Sequence, residues 1–168
     1  RRSNMGIAVE RVMTRDVLTL FPDMTLKQMD QALLERHVSG APVVDGRRLV
    51  GVASRADALR ALYEEQAQAA RITDVYSSPY PIPLAALEEL SKQSRKVAEH
   101  LATARVRDIM TTDPLTARPG DDVEVVARVM ASERVHRLPI VEDGELVGIV
   151  SALDLVRLVA ERGLADAR

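Results

Sequence analysis

Two short strings carry residue types from which binding chemistry could be built, Ser54-Arg-Ala-Asp57 and Ser151-Ala-Leu-Asp154. Each follows an apolar, strand-like run (Leu49–Ala53 or Leu146–Val150) and precedes a segment of helical character. A serine with an aspartate three residues on, at such a junction, is close to a capping box. The Ser oxygen accepts a helix amide, and the Asp favours the positive N-terminal end of the helix dipole. The same geometry has a second use. A carboxylate is a bidentate acceptor matched to the two hydroxyls of a ribose, and a nearby hydroxyl with free amides can hold phosphate oxygens. The residues alone leave both readings open, and the two are compatible: Ser can cap while Asp faces a cleft.

Other chemistries find little footing. The chain has no cysteine, hence no thiolate nucleophile, disulfide framework or zinc knuckle. His37, His100 and His136 lack metal-ligand spacing and have no acidic cluster beside them. There is no nucleophile–base pair at a plausible spacing and no Gly-rich phosphate loop followed by Lys, so catalysis is not expected. A formal charge of −2 offers no basic footprint for nucleic acid. No apolar run approaches membrane-spanning length and no signal peptide opens the chain, so no membrane partner and a cytoplasmic location are expected. With one Phe, three Tyr and no Trp, a bound ring would lie among Val, Ile, Leu and Ala side chains.

The elements that must position these strings come in two copies. Met13-Thr14 recurs as Met110-Thr111, 97 positions on. The same spacing, without a gap, relates Asp16 to Asp113, Thr19 to Thr116, Pro22 to Pro119, Pro42 to Pro139, Gly51 to Gly148, Ser54 to Ser151 and Asp57 to Asp154. Identities held in register over such a stretch mark a tandem repeat of one supersecondary unit. In the first copy Val17–Leu20 reads as a short strand and Thr25 with Gln28 as a capping-box start. Leu26, Met29, Leu33 and Leu34 then form one apolar helix face. Ala41–Val44 and Leu49–Ala53 read as strands joined by a hairpin turn at Asp45-Gly46, and a helix runs from Arg55 to about Tyr63. The second copy repeats this with a Val123, Val126, Ala127, Met130 stripe, a Leu138–Val141 strand, a turn at Asp143-Gly144, a Leu146–Val150 strand and a helix from Ala152.

The expected fold class is therefore α+β: two βαββα repeats, residues 5–63 and 105–162, paired about a pseudo-two-fold axis. A repeat of about 55 residues is marginal alone, so sheet-to-sheet pairing is expected, with a cleft where the copies meet. Residues 1–4, ahead of Met5, are set aside as a cloning remnant, and 163–168 as a tail. The linker, 64–104, contains the proline-rich Tyr76–Pro83 and then Leu84, Leu87, Leu90, Val97 and Leu101, an amphipathic helix pattern interrupted by Ser94.

Certain strings in both copies resemble the CBS (cystathionine-β-synthase) domain. They are Val12-Met-Thr14, Gly40–Asp45 and Gly51–Asp57, with Ile109-Met-Thr111, His136–Val141 and Gly148–Asp154. The matches cover about residues 7–62 and 104–160. The resemblance implies the paired βαββα fold with two ligand clefts. It also implies regulatory binding of an adenosine-containing nucleotide: AMP, ADP, ATP or S-adenosylmethionine. It carries the ribose role onto Asp57 and Asp154 and the hydroxyl role onto Ser54 and Ser151. Val52 and Ile149 become candidate walls for adenine. Thr19 and Thr116 become candidate polar contacts, against a plain β-propensity reading. A homodimer, and a separate effector protein or an output domain elsewhere in a longer chain, are further implications.

The copies differ where His136-Arg137 in the second replaces Ser39-Gly40 in the first. By the resemblance, this pair contacts ligand phosphates; otherwise it is a solvated basic pair at a strand start. Arg55, where the second copy has Ala152, is expected to compensate partly in the first cleft. The clefts should therefore be unequal, with the Asp154 cleft better suited to a phosphorylated ligand. The competing expectation is a structural dimerisation module whose clefts hold no physiological nucleotide.

Overall fold

The computed structural model describes residues 6–64 and 102–162, so the proline-rich segment, the linker-helix pattern, His100 and both chain ends lie outside the described residues. The first repeat contains a 3₁₀ turn at Val9–Arg11, helix α1 (Leu26–Glu35), strands β1 (Gly40–Asp45) and β2 (Arg48–Ser54), and helix α2 (Arg55–Glu64). The second contains a one-turn helix α3 (Val106–Ile109), α4 (Val123–Ser132), β3 (Arg137–Glu142), β4 (Glu145–Ser151) and α5 (Ala152–Arg162). The fold is α+β.

Local signals account for these elements. Thr25 caps α1 with the full reciprocal box. Its Oγ1 accepts from the Gln28 amide at 3.1 Å, and its own amide donates to Gln28 Oε1 at 2.9 Å. Asp122 caps α4, accepting from the Glu124 amide. Leu26, Met29 and Leu33 on α1, and Val123, Val126 and Met130 on α4, are buried as the stripes require. Both helices end with a residue in the left-handed region, His37 at φ 53° and Arg134 at φ 55°, again 97 positions apart. Of each expected first strand, a single parallel bridge forms, Leu20 to Val43 and Ala117 to Ile140.

The chain condenses into two units that do not coincide with the repeats. Unit 2 contains residues 18–46 and 50–64 of the first repeat together with 102–114, the leading segment of the second. Unit 1 contains residues 115–162 together with 6–17, the leading segment of the first, and residues 47–49. Each leading segment has thus been exchanged. In unit 2 the Val106 amide donates to Met24 O (2.9 Å), the Arg107 amide to Pro22 O (3.0 Å) and the Leu26 amide to Ala104 O (3.2 Å). In unit 1 the equivalents are Val9 to Asp121 O (2.8 Å), Glu10 to Pro119 O (3.0 Å) and Val123 to Ile7 O (2.8 Å). Val106 is fully buried in the core of unit 2, and Val9 in that of unit 1.

A second contact locks each exchange. Thr14 exchanges both backbone bonds with Ile149 of β4 inside unit 1, and Thr111 does so with Val52 of β2 inside unit 2. The strand residue before each partner is glycine. A Cβ on Gly51 would lie 2.7 Å from Thr111 O, and one on Gly148 would lie 2.6 Å from Met13 Sδ. The repeated Met-Thr and Gly therefore form one device, in which a strand lacking a side chain lets the exchanged segment lie against it.

Candidate functional site

The two Ser-x-x-Asp strings fold identically at the starts of α2 and α5. In unit 2, Asp57 Oδ2 accepts from the Ser54 amide (2.9 Å) and from Ser54 Oγ (2.6 Å), while Ser54 Oγ lies 3.3 Å from the Asp57 amide. In unit 1 the corresponding distances for Asp154 and Ser151 are 2.8, 2.6 and 3.3 Å. The capping geometry is therefore present in both copies. It uses Oδ2 and leaves Oδ1 to a surface arginine: Arg60 at 3.3 Å from Asp57, and Arg157 at 3.7 Å from Asp154. Oδ1 is thus the carboxylate oxygen that the cap does not use. Both carboxylates retain some access, with side chains 15% and 12% exposed.

In unit 1 the strand register brings the basic pair to the same place. Arg137 of β3 lies directly opposite Ser151 of β4, and the His136 carbonyl accepts the Ala152 amide that opens α5. Arg137 is half-buried and His136 exposed. Burial pulls the Arg137 guanidinium below its ordinary pKa, because desolvation disfavours the charge. Ser151, Asp154, His136 and Arg137 thus gather around one strand-to-helix junction, with half-buried Ile149 two residues before Ser151.

Unit 2 repeats the backbone hydrogen bond at the junction and changes the side chains. Ser39 O accepts the Arg55 amide at 3.0 Å, as His136 O accepts that of Ala152. Gly40 stands where Arg137 does, and a Cβ there would lie 2.8 Å from Ser54 Cβ and 2.9 Å from Ala53 O. The expectation that Arg55 compensates in the first cleft is corrected here. Its side chain is 4% exposed, and its Nε donates to Asp30 Oδ1 at 2.6 Å while Nη2 reaches Asp30 O at 3.3 Å. Asp30 sits among the buried residues of α1, and a carboxylate there holds the guanidinium in the interior. Among the described residues, buried Nη1 has no hydrogen-bond partner.

The remaining candidates are placed as follows. Val52 and Ile149 are half-buried, and their backbone groups are taken by Thr111 and Thr14, so any contact with a ring would come from their side chains. Thr19 is half-buried and Thr116 exposed, each one residue before its bridge residue, Leu20 or Ala117. Sequence reasoning missed that Thr14 flanks Ile149 and Thr111 flanks Val52. The repeated Met-Thr was the available signal. Among the described residues no group of His, Asp or Glu could hold a metal ion, and no helix is long and apolar enough to cross a membrane.

The sequence pattern of the CBS domain matches residues 9–64 and 106–161. An inosine-5'-monophosphate dehydrogenase of Korarchaeum cryptofilum is 31% identical over 156 residues, which are 90% of this chain and 25% of that protein. The chain thus spans about a quarter of that relative's length. The crystal structure of the CBS domain of a CBS-domain-containing membrane protein from Sphaerobacter thermophilus superposes with a TM-score of 0.68 at 30% identity, covering 94% of this chain and 91% of that one. CBSX2, a protein of Arabidopsis thaliana, crystallised in complex with AMP, gives 0.67 at 28% identity over 94% and 98%. With both halves matched and the paired fold shared, the chain belongs to the CBS domain family, as a tandem pair.

Proposed function

We propose that the chain is a regulatory module that senses an adenosine-containing nucleotide, with AMP the first ligand to test. The observation that carries this reading is the register that sets Arg137 against Ser151, three residues before Asp154. One junction then offers a hydroxyl acceptor in Asp154 Oδ1 and a cation suited to a phosphate oxygen. His136 adds a second donor, Ile149 an apolar wall and Thr116 a polar contact. The AMP-bound Arabidopsis relative supports the ligand class. In unit 2, Asp57, Ser54, Val52 and Thr19 form the equivalent site, with Gly40 in place of the strand arginine. The chain carries out no bond-making step in this reading. Binding stabilises the liganded conformation, and a separate effector or attached domain reads the change in the cytoplasm.

Isothermal titration of AMP into the wild type, Asp57→Ala and Asp154→Ala tests the proposal. AMP binding should survive Asp57→Ala and fall sharply in Asp154→Ala. If Asp57→Ala abolished binding while Asp154→Ala left it intact, the assignment would be wrong.

A second reading, a homodimerising structural module with unoccupied sites, draws on the outer face of α5. Leu153, Val156 and Val159 are each more than half exposed there. Thermal-shift assays with AMP, ATP, S-adenosylmethionine and NADH separate the two. A ligand that binds the folded state must raise its melting temperature by mass action, so no shift at millimolar ligand favours the structural module.

A further inference from the structure

We infer that the two sites take different chemical classes of adenosine compound: the Asp154 site a phosphorylated one, and the Asp57 site one without a phosphate. The inference rests on the reading proposed above and concerns what the first repeat has done with its cation.

Two pairs of positions, each related by the 97-residue spacing, are exchanged in character between the repeats. Arg137 lies opposite the capping serine in unit 1, and at the same repeat position unit 2 has Gly40, beside Ser54. Gly40 has no side chain to offer, and the space a Cβ would need is filled by Ser54 and the Ala53 carbonyl. The first helical position after the serine is Ala152 in unit 1 and Arg55 in unit 2. Arg55 follows the serine directly, yet its guanidinium is held in the interior by Asp30, whose counterpart in the second repeat is Ala127. The first repeat therefore keeps an arginine next to its site while turning the charge inward. The second keeps its arginine on the strand at the junction.

The features common to both sites do not discriminate. Each has the same Ser-x-x-Asp box, the same helix start and a surface arginine three residues after the aspartate. The helix dipole, which favours an anion, and the aspartate charge, which opposes one, are matched at that start, so together they do not discriminate between the units. What differs is the half-buried Arg137, with exposed His136 beside it where unit 2 has Ser39, and a charge-assisted bond to a phosphate oxygen is the interaction the arginine supplies. The hydroxyl acceptor Oδ1 and the apolar strand residue (Val52 or Ile149) are common to both, so recognition of the nucleoside part is retained in unit 2. Its loss is confined to phosphate.

Titration calorimetry with AMP and with adenosine, on the full chain, tests this. Asp154→Ala isolates the Asp57 site, and Asp57→Ala isolates the Asp154 site. The site left in Asp154→Ala should bind the two compounds within about threefold of each other, whereas Asp57→Ala should bind AMP about tenfold or more tightly than adenosine. Arg137→Met, which leaves both caps and His136 intact, should lower the AMP preference of the Asp154 site towards that of the Asp57 site. An AMP preference of about tenfold in both aspartate variants overturns the inference. Binding in Asp57→Ala but none of either compound in Asp154→Ala also overturns it, while the nucleotide-sensing reading stands. Binding of neither compound to the wild type removes that reading, and this inference with it.

Discussion

Asp30 and Arg55 form a buried ion pair 2.6 Å long in the first repeat, and both of their counterparts in the second are alanine, Ala127 and Ala152. The two positions lie 25 residues apart in sequence on α1 and α2 and have changed together. Removing one partner strands the other charge in the interior. Arg55→Ala or Asp30→Ala should each cost about 3 kcal/mol, and Asp30→Ala/Arg55→Ala should cost clearly less than the two single losses added. Urea unfolding of the three variants measures this. Additive losses would mean that the two side chains do not act as a pair.

The two glycines that accept the exchanged segments should differ in tolerance. At Gly51 the nearest obstacle to a Cβ is a backbone oxygen, Thr111 O; at Gly148 it is the flexible thioether of Met13, with Thr14 O farther away at 3.1 Å. A side-chain end can move and a bridged backbone cannot. Gly51→Ala is therefore expected to cost about 1–3 kcal/mol, and Gly148→Ala less. Thermal denaturation of the two variants side by side gives the order.

Arg137 carries a desolvation cost at the site. Its pKa is lowered by burial, and for a base this sign means that the folded state is penalised while the group is charged. The penalty is present at neutral pH, where an arginine stays charged. Arg137→Met keeps an apolar stem and removes the charge. The ligand-free variant should match wild-type stability to within about 1 kcal/mol, or exceed it. AMP affinity should fall about tenfold. A large loss of stability without change in affinity would assign Arg137 a structural role.

Cap and ligand roles at the aspartates can be separated by amide substitution. Asn retains an acceptor oxygen for the serine bonds and discards the charge. Because the two caps match to within 0.1 Å, Asp57→Asn and Asp154→Asn should lose similar stability, at most about 1 kcal/mol. AMP affinity should fall in Asp154→Asn and hold in Asp57→Asn. Equal falls in affinity would contradict the asymmetry of the sites.

Much of the architecture was legible because it is local. Thr25 and Gln28 specify a reciprocal cap at fixed spacing, and the α1 and α4 stripes follow from the helical period. The hairpins were marked by Asp45-Gly46 and Asp143-Gly144; Gly46 and both residues of the second pair take positive φ. The exchange of leading segments was not legible, for a reason inherent in repetition. Met13 finds a glycine at the same strand position in either copy, so the pattern is satisfied whichever copy it packs against. Arg55 was misread because it adjoins Ser54 in sequence. The contrary signal was Asp30, a carboxylate between Met29 and Leu33 on an otherwise apolar helix face, paired with the joint loss at Ala127 and Ala152. The roles of the aspartates were legible only as far as the cap, since capping and binding ask for the same residue types at the same spacing.

The exchanged segments also separate what is inherited as a unit from what folds as one. A cut in the gene between the repeats would leave each fragment with a leading turn whose acceptor strand is on the other fragment. Neither half should be self-sufficient, and the two expressed together should recognise each other through those turns. A lone repeat of this kind would satisfy its strand edge by borrowing the turn of a second molecule. Duplication makes that loan internal, so the module is portable between larger proteins only as a whole pair.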